Sequence, residues 1–387
     1  MAFDAKTKSL MDFLEAQAET FPVNAGEYTQ MSDLYQRKLW HQLTLLLDAF
    51  AASEGTGPQL QPLYETFIID FKHKLNKLVL ARLQVAVSKQ LADIQAQTFF
   101  CTTAAEEAGK DDRQARSFIL CELARLKLDA GEVEETKALL EDAAGYLEAA
   151  AGVENAVMAS YYRAWAGYYK IRGPAAQFYK HALLLLAYAP LSSMPTDEAL
   201  TISFDLGIAA LVGEGLYNFG ELLEHPVVTT LESTEFAWLA ELLRAFNAGD
   251  IAQYESLVQS HHGKLEQQPA LLANTTFLKE KITLMCLTET LFERIGPSAE
   301  RTIAFSAIAS ASNLPVDQVE LLVMRALSLK LIKGLLDEVD GTLRVTWVQP
   351  RVLQSSQISL MKERLQTWTG TVNNTLQFLE NETPEFA

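Results

Sequence analysis

Residues 213 to 220 read GEGLYNFG, and Gly213, Gly215 and Gly220 offer the kind of backbone that could wrap a phosphate. A dinucleotide loop needs a third glycine where Asn218 stands, and it follows a strand, whereas DEALTISFDLGIAALV ahead of it has helical spacing. Glu214 and Glu221 would repel the phosphate, and no lysine follows within reach. A Walker loop fares no better, since Gly109-Lys110 runs into Asp111 and Gly263-Lys264 into Leu265, where Ser or Thr is required. The six histidines, His41, His73, His181, His225, His261 and His262, contain no His-x-His or His-Glu-x-x-His spacing for a metal. Cys101, Cys121 and Cys286 are unclustered and read as small buried residues in a reducing compartment. No Gly-x-Ser-x-Gly elbow occurs. The residues therefore predict no catalytic group, no cofactor and no metal.

The elements that carry these residues are helical. In RQARSFILCELARLKLDAGEVEETKALLEDAAGYL, the stripe Ile119, Leu120, Leu123, Leu126 and Ala130 stops at Gly131 and resumes at Val133, Leu139, Leu140 and Ala143. That pattern predicts a helical hairpin, and it returns around Gly173-Pro174, Gly213 and Gly249. Successive breaks lie 42, 40 and 36 residues apart, the spacing of a helical-repeat solenoid. Gly213 and Gly215 are expected to be left-handed residues ending one helix, with Leu216 to Leu223 forming the next and His225-Pro226 stopping it. Tyr161, Tyr162, Trp165, Tyr168 and Tyr169 could stack bases, but their helical spacing predicts inter-helix packing.

Composition favours protein partners. The 387 residues are 49% hydrophobic with a net charge of -17, which opposes attraction to nucleic acid or anionic lipid. The longest apolar run, ALLLLAYAPL, is about half of what a membrane span requires, and acids interrupt the first twenty residues as they would not in a secretory signal.

From residue 297 the pattern changes. A short helix through Ile308, a turn at Ser312 and Asn313, a helix opened by Pro315 and two strands joined by Asp340-Gly341 predict a winged helix. Between residues 301 and 350 five bases (Arg301, Arg325, Lys330, Lys333, Arg344) face five acids (Asp317, Glu320, Asp337, Glu338, Asp340). Asp317 and Glu320 occupy the turns with which a DNA-reading helix would touch bases, so protein contact is the favoured use. The last segment, from Arg351 to about Glu380, predicts one helix with the stripe Ile358, Met361, Leu365, Trp368, Val372, Leu376 and Leu379. Such a helix can fold back on its own domain or enter a bundle with other chains.

This order of parts resembles the PCI-domain subunits shared by the proteasome lid, the signalosome and a translation initiation factor. The resemblance to the 26S proteasome lid members is carried by LYQRKLWHQLT at Leu34, LGIAALVGEGLYNFGELLEHPVV at Leu206, VELLVMRALSLKLIKGLLDEVD at Val319 and TWVQPRVL at Thr346. It implies a non-catalytic, cytoplasmic and nuclear scaffold that supports assembly of the regulatory particle, with other PCI and non-ATPase lid subunits as partners. It also implies a winged-helix contact at Leu343, Val345 and Trp347, and a bundle contact through Ile358, Met361, Leu365, Trp368 and Val372. Gly131, Gly173, Gly213, Gly215 and Gly249 are then structural turns. The expected organisation is mainly α: a repeat region over 1–200, the helical part of a PCI domain over 201–296, a winged helix over 297–350, and a terminal helix and tail over 351–387. A PCI subunit of another complex and a nucleic-acid-binding winged helix are the alternatives.

Overall fold

Apolar residues at three- and four-residue intervals produce helix along most of the chain, as a computed structural model shows for residues 2–53, 55–109, 112–148, 152–294, 302–350, 352 and 355–382. The backbone divides into two units, Met1–Met194 and Pro195–Ala387.

The first unit holds α1 (Ala2–Thr20), α2 (Ala25–Gln36), α3 (Trp40–Ala52), α4 (Gly57–Leu63), α5 (Ile69–Phe71), α6 (Lys77–Ser88) and α7 (Ile94–Ala108). They are followed by the hairpins α8 (Arg113–Asp129) with α9 (Val133–Glu148) and α10 (Asn155–Arg172) with α11 (Ala175–Tyr188). Polar residues cap two of these helices, α6 and α7: Asn76 accepts from Leu78 N at 2.9 Å and Asp93 from Gln95 N at 3.2 Å, each satisfying an amide that the first turn leaves free. Gly131 (φ 84°) and Gly173 (φ 69°) supply the left-handed residues at the two hairpin turns. Fully buried Ala124 and Ala143 let α8 and α9 approach closely, so that Ser117 Oγ donates to Ala143 O at 3.3 Å and Thr136 Oγ1 to Ala124 O at 3.4 Å. Nearer the N-terminus, Tyr28, Phe50, Phe67 and Phe71 fill a separate aromatic core.

The second unit holds α12 (Thr196–Val212), α13 (Gly220–Glu224), α14 (Pro226–Glu232), α15 (Ala237–Ala248), α16 (Ile251–Ser260), α17 (His262–Glu266), α18 (Pro269–Ala273) and α19 (Thr275–Arg294). Its remaining elements are β1 (Thr302–Ala304), α20 (Phe305–Ser312), α21 (Val316–Ser328), β2 (Ile332–Asp337), β3 (Thr342–Val348) and α22 (Ser355–Glu382). Two of the four glycine breaks thus fall in each unit, and the 40-residue interval from Gly173 to Gly213 spans the division at Met194.

Gly249 is left-handed (φ 66°) between α15 and α16, and a Cβ there would lie 2.6 Å from Cys286 Cα on α19. Backbone, which cannot swing aside, blocks the position. Gly249→Ala is therefore expected to lower the stability of this unit by about 2–4 kcal/mol, through unfavourable φ and steric overlap together. Denaturant unfolding followed by Trp238 fluorescence on α15 checks the value.

The winged helix differs from its sequence reading in three respects. Thr302–Ala304, expected within the first helix, form a strand, and the helix runs from Phe305 to Ser312; residues 297–301 lie outside the described residues. The sheet order is β1-β3-β2, so β3 is central, paired with β2 along its length and with β1 over Thr342–Arg344. The hairpin loop spans Glu338 to Gly341, with Gly341 left-handed at φ 60°, in place of a two-residue turn. Asn313, also left-handed at φ 51°, ends α20, and Pro315 precedes the first turn of α21 as expected.

All three cysteines are buried and unpaired by disulfide, and burial pushes each thiol up from its ordinary value. They are core residues.

Candidate subunit interface

The terminal helix α22 places Ile358, Met361, Leu365, Trp368 and Val372 on one face, because their spacing of three and four residues follows the helical period. All five are exposed, with Trp368 66% accessible, as are Leu376 and Leu379 beyond them. A helix of 28 residues is about 42 Å long at 1.5 Å per residue, so this stripe is an extended apolar strip. Its start at Ser355 lies four residues after Arg351, itself outside the described residues together with Leu353 and Gln354.

The wing residues divide. Leu343 and Val345 are buried, with β3 lying against α19 and β2 against α21, so within this chain they build the core of the winged helix. Trp347 is 38% exposed, and the ammonium of its register partner Lys333 sits 4.9 Å from the ring centroid. Since β3 is central, the outer edges of the sheet are those of β1 and β2, and the longer β2 edge carries exposed Leu335, with Val339 at the wing tip. The bulge at Lys333/Gly334 twists that edge.

The glycine-rich stretch is organised by a residue that the sequence reading missed. Gly215 is left-handed (φ 75°), but Gly213 is not: its φ of -63° and ψ of 126° are extended. Its lack of a side chain matters for another reason, since a Cβ would lie 2.7 Å from Ala209 O. Helix also does not resume at Leu216; residues 214–219 form an irregular turn and α13 begins at Gly220. His225 accepts from Val227 N through Nδ1 at 3.3 Å, starting α14 as well as ending α13. The turn is held by Lys281 of α19, whose fully buried Nζ donates to Ala210 O, Leu211 O and Gly213 O at 2.8, 2.9 and 2.8 Å. Three ammonium protons thus meet three carbonyls at the negative end of α12. The rings of Tyr217, Phe219 and Phe277 stand 5.7, 5.3 and 5.6 Å away. Burial pulls the Lys281 pKa down to about 7. Its cation is committed to backbone, so the site is structural.

Other chemistry-bearing groups are likewise committed to packing. Trp165 stacks on Tyr169 at 5.3 Å, Tyr162 on Tyr188 at 5.6 Å, and His181 lies 5.0 Å from Tyr169, so the aromatic cluster joins α10 to α11. Among the described residues no group of three or more His, Cys, Asp or Glu gathers that could hold a metal ion. No helix among them is long and apolar enough to cross a membrane.

Residues 27–243 match the family described as PSD13 N-terminal repeats, and residues 258–347 match the PCI domain. The chain is 40% identical over 381 residues to 26S proteasome non-ATPase regulatory subunit 13 homolog B of Arabidopsis thaliana, covering 97% of this chain and 98% of that one. It is 35% identical over 378 residues to 26S proteasome non-ATPase regulatory subunit 13 of Dictyostelium discoideum, covering 96% and 97%. A weaker likeness, 25% over 217 residues and 56% of this chain, connects it with eukaryotic translation initiation factor 3 subunit M of Coccidioides immitis, of which it covers 45%. Likeness that runs through both the repeats and the winged helix, at 40% identity over nearly the full length, decides between these relatives: the chain belongs to the family of 26S proteasome non-ATPase regulatory subunit 13.

Proposed function

We propose that this chain is a non-catalytic scaffold subunit of the 26S proteasome lid, supporting assembly of the regulatory particle and ubiquitin-dependent degradation in cytoplasm and nucleus. The observation that carries the reading is the exposed stripe of α22, an apolar strip that lies uncovered and is fitted to a partner helix. Its partners are other PCI-domain and non-ATPase lid subunits. In this reading α22 enters a bundle with their terminal helices, and the open edge of β2 with Trp347 supplies a second contact. Neutral charge across residues 301–350 and acids on the exposed turns of α21 weigh against nucleic acid.

Native separation of cell extract, with mass spectrometry of the co-migrating proteins, tests the assignment. The 43.0 kDa chain is expected within a particle many times its mass, together with lid subunits. Migration as a free monomer would sink the reading, and co-migration with initiation-factor subunits would transfer it to the second reading, which the partial likeness to subunit M supports.

A further inference from the structure

The last glycine of GEGLYNFG has no conformational reason to be glycine. Gly220 is the first residue of α13 and lies outside the left-handed region that Gly215 occupies. Alanine would suit that helical position better. What excludes a side chain is a neighbour from far along the chain: a Cβ on Gly220 would stand 2.6 Å from Val352 Cβ and 3.2 Å from Val352 O. A β-carbon is fixed to its backbone, so Val352 cannot turn it aside as the end of a long side chain could be turned.

The ground on which Val352 rests is firm. Gly220 is buried, its N–H donates to Asn218 Oδ1 at 3.2 Å, and the preceding Phe219 is buried with its ring 6.1 Å from that of Phe246 on α15. Lys281 holds the start of the same turn through Gly213 O. Ahead of Val352, Gln349 N donates at 2.8 Å to the carbonyl of Leu331, the residue before β2. The chain leaving β3 is thus tied down twice, first to the winged helix and then to α13, and α22 begins three residues later at Ser355.

We propose that Gly220 and Val352 form a seat that fixes the root of α22 on α13, so that the direction in which the terminal helix leaves the domain is set within the chain. Gly220 is then a positioning residue that acts through α22. Its use rests on the bundle role proposed for that helix, while the seat itself is a property of the single chain.

Trypsin digestion of the full chain reads the seat through the Arg351–Val352 bond, which is cut only when the chain around it opens. G220A is expected to speed that cleavage about tenfold or more, and V352G, which empties the seat, about threefold or more. In G220A/V352G the methyl group comes from the other side of the contact, and the rate should return to within about threefold of the wild type. Helix content by circular dichroism, unchanged in each variant, keeps the comparison local. Equal rates in wild type and G220A, or a double variant cut faster than either single one, as independent damage would give, would each overturn the seat. Incorporation into the large particle separates the seat from the bundle. G220A should incorporate about threefold less than the wild type, and G220A/V352G should recover. Full incorporation of G220A beside loss in L365E/W368E would overturn the positioning role alone. Full incorporation of L365E/W368E would overturn the bundle reading and with it the use of the seat, whatever the cleavage rates.

Discussion

Replacing Lys281 with methionine is expected to lower the stability of the second unit by about 2–4 kcal/mol. Methionine keeps the length of the side chain but removes the donor, so the carbonyls of Ala210, Leu211 and Gly213 lose their shared partner. An orphaned buried acceptor costs about 1–3 kcal/mol, and relief from burying a charge offsets part of the sum. Lys281→Ala adds a cavity and should cost about 1–2 kcal/mol more. Hydrogen exchange of the α12 amides reads the effect where it occurs, and unchanged protection in Lys281→Met would refute the anchoring role. The pH dependence has a definite sign. A folded pKa depressed from 10.5 to about 7 means that the unfolded chain holds the extra proton between those values. The stability of the wild type relative to Lys281→Met should therefore rise as pH climbs from 7 toward 10.5, and fall as pH returns to 7.

L365E/W368E is expected to abolish incorporation into the large particle while leaving thermal unfolding within about 0.5 kcal/mol of the wild type. Both side chains are exposed, so the isolated chain loses no packing. Within a bundle, each glutamate would be an unpaired charge in an apolar contact, a cost of several kcal/mol per site. Native separation of extracts that express the variant gives the result directly. Full incorporation would remove the bundle role of α22, and a lowered unfolding temperature would show that the stripe packs on its own chain.

Local signals in the sequence located most of the fold. Gly131, Gly173 and Gly249 mark hairpin turns because a left-handed residue is needed there, and Asn313, Pro315 and Gly341 punctuate the winged helix for related reasons. The stripe from Ile358 to Val372 follows from spacing alone. What spacing does not reveal is partnership over long range. Thr302–Ala304 become a strand only because β3, some forty residues later, offers Thr342–Arg344 as a template. Lys281 reads as a solvated cation in any helical pattern, since its acceptors lie about seventy residues earlier. The alternation of Leu343 and Val345 puts them on one face of β3, but whether that face meets its own helices or a partner is decided by the packing of the sheet on α19 and α21.

The terminal helix has a further consequence. Thr367, Thr369, Thr371 and Thr375 turn their hydroxyls back to carbonyls four residues earlier, and Gly370 stands among them, so this stretch is a weak intrinsic helix former. Ordering each backbone residue costs about 1–2 kcal/mol, and among the described residues from Ile358 onward none is buried. In the bundle proposed above, helix formation and association would be a single coupled equilibrium: the free energy that a neighbour gains by covering the strip would be spent first on ordering it. Affinity per unit of contact area is lowered, but the order of the tail becomes a measure of assembly itself. On that proposal, a chain that has left its complex would be distinguishable from one within it by the helical order of α22 alone.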